Sequence, residues 1–348
     1  MITPLTLAAR LPNLGAMKYA RAGFFILVGT MAVAFTFGSS GCRSLSTTQP
    51  ADSSRGRNQL NEGKRLDEQG LSDDALAAFA AALKENPRLL EAQMGIGDIY
   101  RKRGDYENAG AAYESATKLA PMSFEAHYYL GLMRQLAGRI EEAVSSYLRA
   151  IAIKPDSIDA NQNLASAYLQ LNRAGDGLAY AKRAADLSPQ NQAAWANLGA
   201  TYSLLGQYDD AVEAYRHAAE LGELEEPILL GLADAHIKLG HYDRAAAVLQ
   251  TQLRKQPTAT AYERLGFSQF KQRRYDDALA SFRAALSLDA NDVASLNGLG
   301  VALMTLYVQS GRNIPQQRDQ ALEVWRKSLT IRSNQPKIID LVTRYSRL

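Results

Sequence analysis

Between residues 58 and 335 apolar positions recur with helical spacing. Leu198, Tyr202 and Leu205 share one helix face, and Val212, Tyr215 and Ala219 share the next, with mostly small or polar residues between them. Short turns holding Gly104, Gly138, Gly206 and Gly240 separate such faces, as expected where a helix ends in left-handed backbone. Acidic pairs follow these turns or their counterparts at Asp73–Asp74, Glu141–Glu142, Asp209–Asp210 and Asp276–Asp277, where negative charge complements the dipole of a starting helix. Ser123, Ser157, Asn191 and Asp292 stand where the following helix needs an N-cap. The pattern predicts helix pairs joined by tight turns, and no strands.

The pairs are copies of one unit. Small residues recur at Ala75, Ala109, Ala143, Gly177, Ala211, Ala245, Ala278 and Ala321, five intervals of 34 followed by 33 and 43. A second small series lies upstream at Gly63, Gly97, Gly131, Ala165, Gly199, Ala233, Gly266 and Gly300. Large residues follow at Phe79, Tyr113, Tyr147, Tyr215, Leu249, Phe282 and Trp325, and Pro87, Pro121, Pro155, Pro189 and Pro257 close the units. One helix pair cannot bury both faces, so units with this period must stack. The unit holding Trp195, Leu198, Gly199, Tyr202, Gly206, Tyr208, Ala211, Tyr215 and Ala218 resembles the tetratricopeptide repeat (TPR) family. That resemblance implies an all-α superhelical solenoid of about eight helix-turn-helix repeats over 58–335, closed by a capping helix at 336–348.

Two departures qualify the pattern. Gly177 and Ala181 replace the usual alanine and large aromatic of the fourth unit, which predicts looser packing there. Extra residues near 307–317 predict a longer first helix or a projecting loop in the eighth.

The first 41 residues read as an address. Lys18 and Arg21 precede an uncharged run from Ala22 to Gly41, the order of a secretory signal, and Met17 is a candidate start that would give it ordinary length. Small residues lead directly to Cys42, the single cysteine, so no intramolecular disulfide can form. This resembles a bacterial lipoprotein signal, although Ser39 stands where that family favours leucine. The resemblance implies lipidation at Cys42, and Arg43 behind it implies delivery to the outer membrane, on its periplasmic face, in a Gram-negative cell. The alternative is an uncleaved inner-membrane signal anchor, since about 20 uncharged residues can span a bilayer. Residues 42–57, the cysteine and the polar segment behind it, read as a flexible tether.

Charge narrows the partners. The +3 net charge comes from Arg10, Lys18 and Arg21, which leaves 36 basic against 36 acidic residues from Cys42 on. A neutral body with mixed signs argues against nucleic acid. His127, His217, His236 and His241 are dispersed, and the last two miss the spacing that sets two ligands on one helix face, so no metal site is expected. Gly95 with Gly97, and Gly298 with Gly300, coincide with packing positions of the repeat rather than with phosphate loops. With no nucleophile motif and no cofactor signature, the expectation is a protein that is not an enzyme.

The TPR resemblance places the working surface on the first helix of each repeat, which lines a concave groove for peptides or partner helices. It implies Tyr128, Leu132, Gln135, Gln162, Asn163, Ser166, Asn197 and Ala200 as groove residues. Asn163 and Asn197 share a register and resemble the asparagine ladder of O-GlcNAc transferases, an amide being able to donate and accept at once. The plainer reading of both is a solvated helix face. The carboxylate clamp of chaperone-binding members is absent: its places carry Leu60, Lys64, Met94, Asp98, Glu125 and Tyr129. The expectation is a membrane-anchored interaction scaffold of the bacterial cell envelope with a protein or peptide partner. The alternative is a structural subunit of a pilus, secretion or wall-enzyme assembly that works through helix-surface contacts.

Overall fold

A computed structural model describes residues 51–347, so the signal segment and Cys42 lie outside the described residues. The described chain forms seventeen α-helices and no strand. It divides into two compact units that meet in sequence at Met122 and Ser123. The first unit holds α1 (Ala51–Glu68), α2 (Ser72–Glu85), α3 (Leu90–Lys102) and α4 (Tyr106–Leu119). The second begins with α5 (Phe124–Leu136), α6 (Ile140–Ile153), α7 (Ile158–Gln170), α8 (Ala174–Leu187), α9 (Gln192–Leu204) and α10 (Tyr208–Leu221). It continues through α11 (Glu226–Lys238), α12 (Tyr242–Lys255), α13 (Ala259–Lys271) and α14 (Tyr275–Leu288). It ends with α15 (Val293–Gln309), α16 (Pro315–Ile331) and α17 (Pro336–Tyr345).

Local signals act where the sequence puts them. Ser123, Ser157, Asn191 and Asp292 each accept a backbone N–H of the first turn of their helix. Asp105 and Thr258 do the same for α4 and α13. Gly206 has φ +75°, which a side chain would strain, and Gln207 N–H closes the turn on Tyr202 C=O at 3.0 Å. Two turns lack the glycine and keep the geometry: Asn172 (φ 55°) and Arg273 (φ 63°) occupy the same left-handed position.

The repeat interior is a glycine–aromatic joint. A Cβ built on Gly63 would lie 2.6 Å from the Phe79 ring, one on Gly97 2.7 Å from Tyr113, and one on Gly131 2.7 Å from Tyr147. Gly199 stands so to Tyr215, Gly266 to Phe282 and Gly300 to Trp325. Several of these rings are held on two sides, because the next repeat presents a second glycine. Gly95 meets Phe79, Gly231 meets Tyr215 and Gly298 meets Phe282. Backbone thus lies flat on each ring face, and the paired glycines Gly95 and Gly97, and Gly298 and Gly300, each serve two neighbouring rings.

Two expectations change, and the third resolves to the longer first helix. The stretch read as tether ends earlier, because α1 starts at Ala51. Gly56 is buried beside Leu89 and the Ala82 carbonyl, contacts that a polar linker would not make. The fourth repeat is not loose. Ala165 and Ala181 are 0% and 1% exposed, and a Cβ on Gly177 would sit 3.0 Å from that of Tyr168, so α7 and α8 close up on small residues. The insertion near 307–317 lengthens both helices of its repeat. Helices α15 and α16 have 17 residues each, against 13 and 14 for α13 and α14, with Gly311 and Arg312 in left-handed backbone between them.

Candidate functional site

In the unit from Ser123 on, each first helix touches the next first helix: α5 with α7, α7 with α9, α9 with α11, α11 with α13, and α13 with α15. No two second helices make comparable contact among the described residues. First helices that approach one another while second helices spread define an inner face, and it runs along α5, α7, α9, α11, α13 and α15.

Not every residue assigned to that face is available to a ligand. Gln135 is 8% exposed, and its side-chain oxygen accepts the Tyr147 hydroxyl at 2.8 Å. Asn163 is also 8% exposed and donates to the Tyr128 hydroxyl at 3.2 Å. Gln162 accepts from the Asn191 amide at 3.1 Å, which ties α7 to the start of α9. Leu132, Ser166, Asn197 and Ala200 are half-buried on the same face. The structure therefore brings Tyr128 and Asn163 together as an internal bond between repeats, whereas the Asn197 side chain gains no such tie. The difference lies in the partner: Tyr128 precedes Asn163 by 35 residues, and at the same interval before Asn197 stands Gln162, which accepts from Asn191.

A charged group in the same face was passed over by the sequence reading, which stopped at the middle repeats. Arg264 holds the register of Asn163 and Asn197, and on α13 it donates from Nε to Asp234 on α11. Beside it Glu263 is half-buried. Burial pushes its carboxyl up to about 7; Arg264 opposes this, and Asp292 and Asp234 add to it. A shared register would have exposed this cluster had the count been carried into the later repeats. Beyond it the face turns apolar, with Val301, Met304 and Val308 of α15, Trp325, and Leu341 and Tyr345 of α17 lining a cleft of about 290 Å³.

Glu263 makes the stability of this unit depend on pH. Its folded value lies above the usual 4.5, so the folded chain holds a proton that the unfolded chain has lost. Stability is full below pH 4.5, falls as pH rises to about 7, and stays reduced above it. Glu263→Gln is expected to leave urea unfolding unchanged at pH 4 and to stabilise the protein at pH 8 by up to about 3 kcal/mol. Equal midpoints at pH 8 would contradict this.

His236 and His241 rings lie 5.9 Å apart, and His217 meets Trp195 edge-on at 4.2 Å. No group of three or more His, Cys, Asp or Glu among the described residues is placed to hold a metal ion.

Profiles of the tetratricopeptide repeat match residues 60–121, 96–158, 230–293 and 268–306, and related profiles match 158–191 and 193–222. The chain belongs to the tetratricopeptide repeat family. Among solved structures it is similar to a tetratricopeptide repeat protein from Parabacteroides merdae ATCC 43184, at 18% identity and TM-score 0.50 over 72% of this chain and 99% of that one. It is also similar to a chain of the APC/C hetero-tetramer Cut9-Hcn1, at 18% identity and TM-score 0.52 over 82% of this chain and 55% of that one. At such identities these likenesses concern the fold. No curated protein matches the chain. The fold is that of a protein–protein interaction scaffold, a family whose members bind protein or peptide partners and are typically non-catalytic.

Proposed function

We propose that this protein is a membrane-anchored interaction scaffold of the bacterial cell envelope, holding a peptide or partner helix along the inner face of its second unit. The observation that carries the reading is the line of contacting first helices, on which Ser166, Asn197 and Ala200 stay half-buried while Gln135 and Asn163 are bonded inward. Asn197 is thus the residue of the asparagine pair best suited to meet a peptide backbone, and Asn163 positions Tyr128. The charged segment at Asp234, Glu263 and Arg264 and the apolar end around Val301 give the face a polarity that can set the direction of a bound segment. The envelope location rests on the order of charges, the apolar run and Cys42 in the leader.

A photo-reactive residue placed at Ser166 is expected to cross-link a partner in the cell, whereas one at Gln250, exposed on α12, is not. Asn197→Ala should weaken the Ser166 product. Cross-linking from Gln250 alone would favour the reading as a structural subunit that works through its helix surfaces. Cys42→Ala is expected to leave an unprocessed chain without acyl label, and unchanged labelling in that variant would reject the lipid anchor.

A further inference from the structure

A cleft of about 300 Å³ is bordered by α8, α10 and the stripe of α9 that carries Trp195, Leu198 and Tyr202. Its origin is one position of the repeat. In the fourth repeat Tyr180 stacks on Tyr168, ring centres 6.1 Å apart, and fills the space between second helix and first. Thirty-four residues on, Tyr202 repeats Tyr168 but Ala214 replaces Tyr180, so the Tyr202 ring borders open space beside Leu198 and Trp195. The rim carries Asp186, Asp210 and Glu213, all exposed, and none of them forms an ion pair among the described residues. The second repeat has the same tyrosine and alanine at Tyr100 and Ala112, yet Lys84, Gln93, Asn108 and Ala111 stand where the cleft has Asp186, Trp195, Asp210 and Glu213. The combination is therefore particular to this place and does not follow from the repeat.

The chemistry selects a cation. Aromatic faces attract positive charge, and here they are backed by three carboxylates. The chain already shows the preference: Lys182 sets its ammonium 5.6 Å from the centre of the Tyr202 ring. One lysine against three acids leaves the rim negative, and its flexible stem allows it to swing aside. A planar guanidinium suits the site better than an ammonium, since it stacks on a ring while its edge serves two carboxylates. Trp195 is oriented for this by its own ties, its Nε1 donating to the Pro189 carbonyl at 3.0 Å and its ring set against His217.

We propose that this cleft receives an arginine side chain of a partner protein, its guanidinium stacked against Tyr202 and Trp195 and its N–H groups directed to Asp186, Asp210 and Glu213. At about 100° per residue, its α9 lining of Trp195, Leu198 and Tyr202 forms a different stripe of that helix from Asn197, so the scaffold would engage two proteins at once.

The test uses the full chain and a Gly-Arg-Gly-Arg-Gly peptide, with lysine and glutamate counterparts as controls. Trp195 reports binding by fluorescence, because the protein has two tryptophans and the other, Trp325, is 0% exposed. The arginine peptide is expected to give a saturable change, the lysine peptide a weaker one and the glutamate peptide none. Tyr202→Leu keeps every charge and is expected to weaken the arginine peptide about tenfold, as loss of a partly desolvated cation–π contact would. Tyr202→Phe should restore it, and the double variant Asp210→Asn, Glu213→Gln should lose it. Asn197→Ala, on the inner face, should leave it unchanged. The assignment falls if no saturable change occurs, or if Tyr202→Leu, folded by its Trp325 emission, binds as wild type does; diffuse attraction to acids would then be the whole effect. Either failure leaves the inner-face reading standing.

Discussion

Replacing Gly199 with leucine is expected to lower the unfolding free energy by about 1–3 kcal/mol, the cost of forcing bulk into a closed interior. The site leaves little room for relief. Even a methyl group there would lie 2.8 Å from the Tyr215 ring, and Gly231 holds the same ring from the next repeat, where a Cβ would lie 2.4 Å away. The ring cannot retreat from one helix without striking the other. Urea unfolding followed by circular dichroism reads the effect. Tyr215→Ala should remove much of the added cost, so that the two substitutions are strongly non-additive. Gly175 is the internal control: a Cβ there meets nothing within 4 Å, and Gly175→Ala in α8 should be neutral or stabilise by up to about 1 kcal/mol. A Gly199→Leu curve superimposing on wild type would show that the glycine–ring joint does not hold the repeat together.

The larger effect is expected from Trp325→Ala, at about 3–5 kcal/mol. Trp325 is 0% exposed and sits at the centre of the C-terminal core with Leu299, Ala302, Leu303, Ala321, Leu322 and Ile338. It lies on Gly300 from one side, and its Nε1 donates to the Asn297 carbonyl at 3.3 Å. Truncation would leave a cavity at the centre of this core and remove that bond. Because repeats depend on their immediate neighbours, the loss should be felt first by α15, α16 and α17. Hydrogen exchange should therefore quicken in 293–345 well before it changes in α5–α8. Uniform quickening along the second unit would mean that it unfolds as one block.

Much of this architecture is legible because the repeat reports its own contacts. A glycine and, 16 residues later, a ring can recur at Gly131 and Tyr147, Gly199 and Tyr215, and Gly266 and Phe282 only if the same two helices meet the same way each time. Caps are legible for a related reason, since Ser157 or Asn191 bonds a backbone N–H three residues away and needs nothing distant. Arg273 shows the boundary of such reasoning. Nothing in an arginine announces left-handed backbone, and the position takes it because helices on both sides fix where the turn must pass.

The functional face was legible in register but not in accessibility. Position along the first helix identifies which side chains point inward, yet Gln135 and Asn163 are drawn into bonds with Tyr147 and Tyr128. Each partner lies on a different helix from the residue it bonds, so no count along one helix shows the pairing. The Glu263 carboxyl is a like case: its ordinary acidity is a property of the residue, and its shift to about 7 comes from the burial that packed helices impose.

Periodicity in the chain thus determined the helices, their pairing and the order in which the pairs stack, because each of these depends on neighbours within one repeat length. Packing of one repeat on the next decided which polar groups are spent internally, where α1 begins, and where Ala214 leaves a cleft that Tyr180 closes one repeat earlier. Such outcomes hinge on the volume and hydrogen-bonding demand of side chains that meet only after the stack has formed.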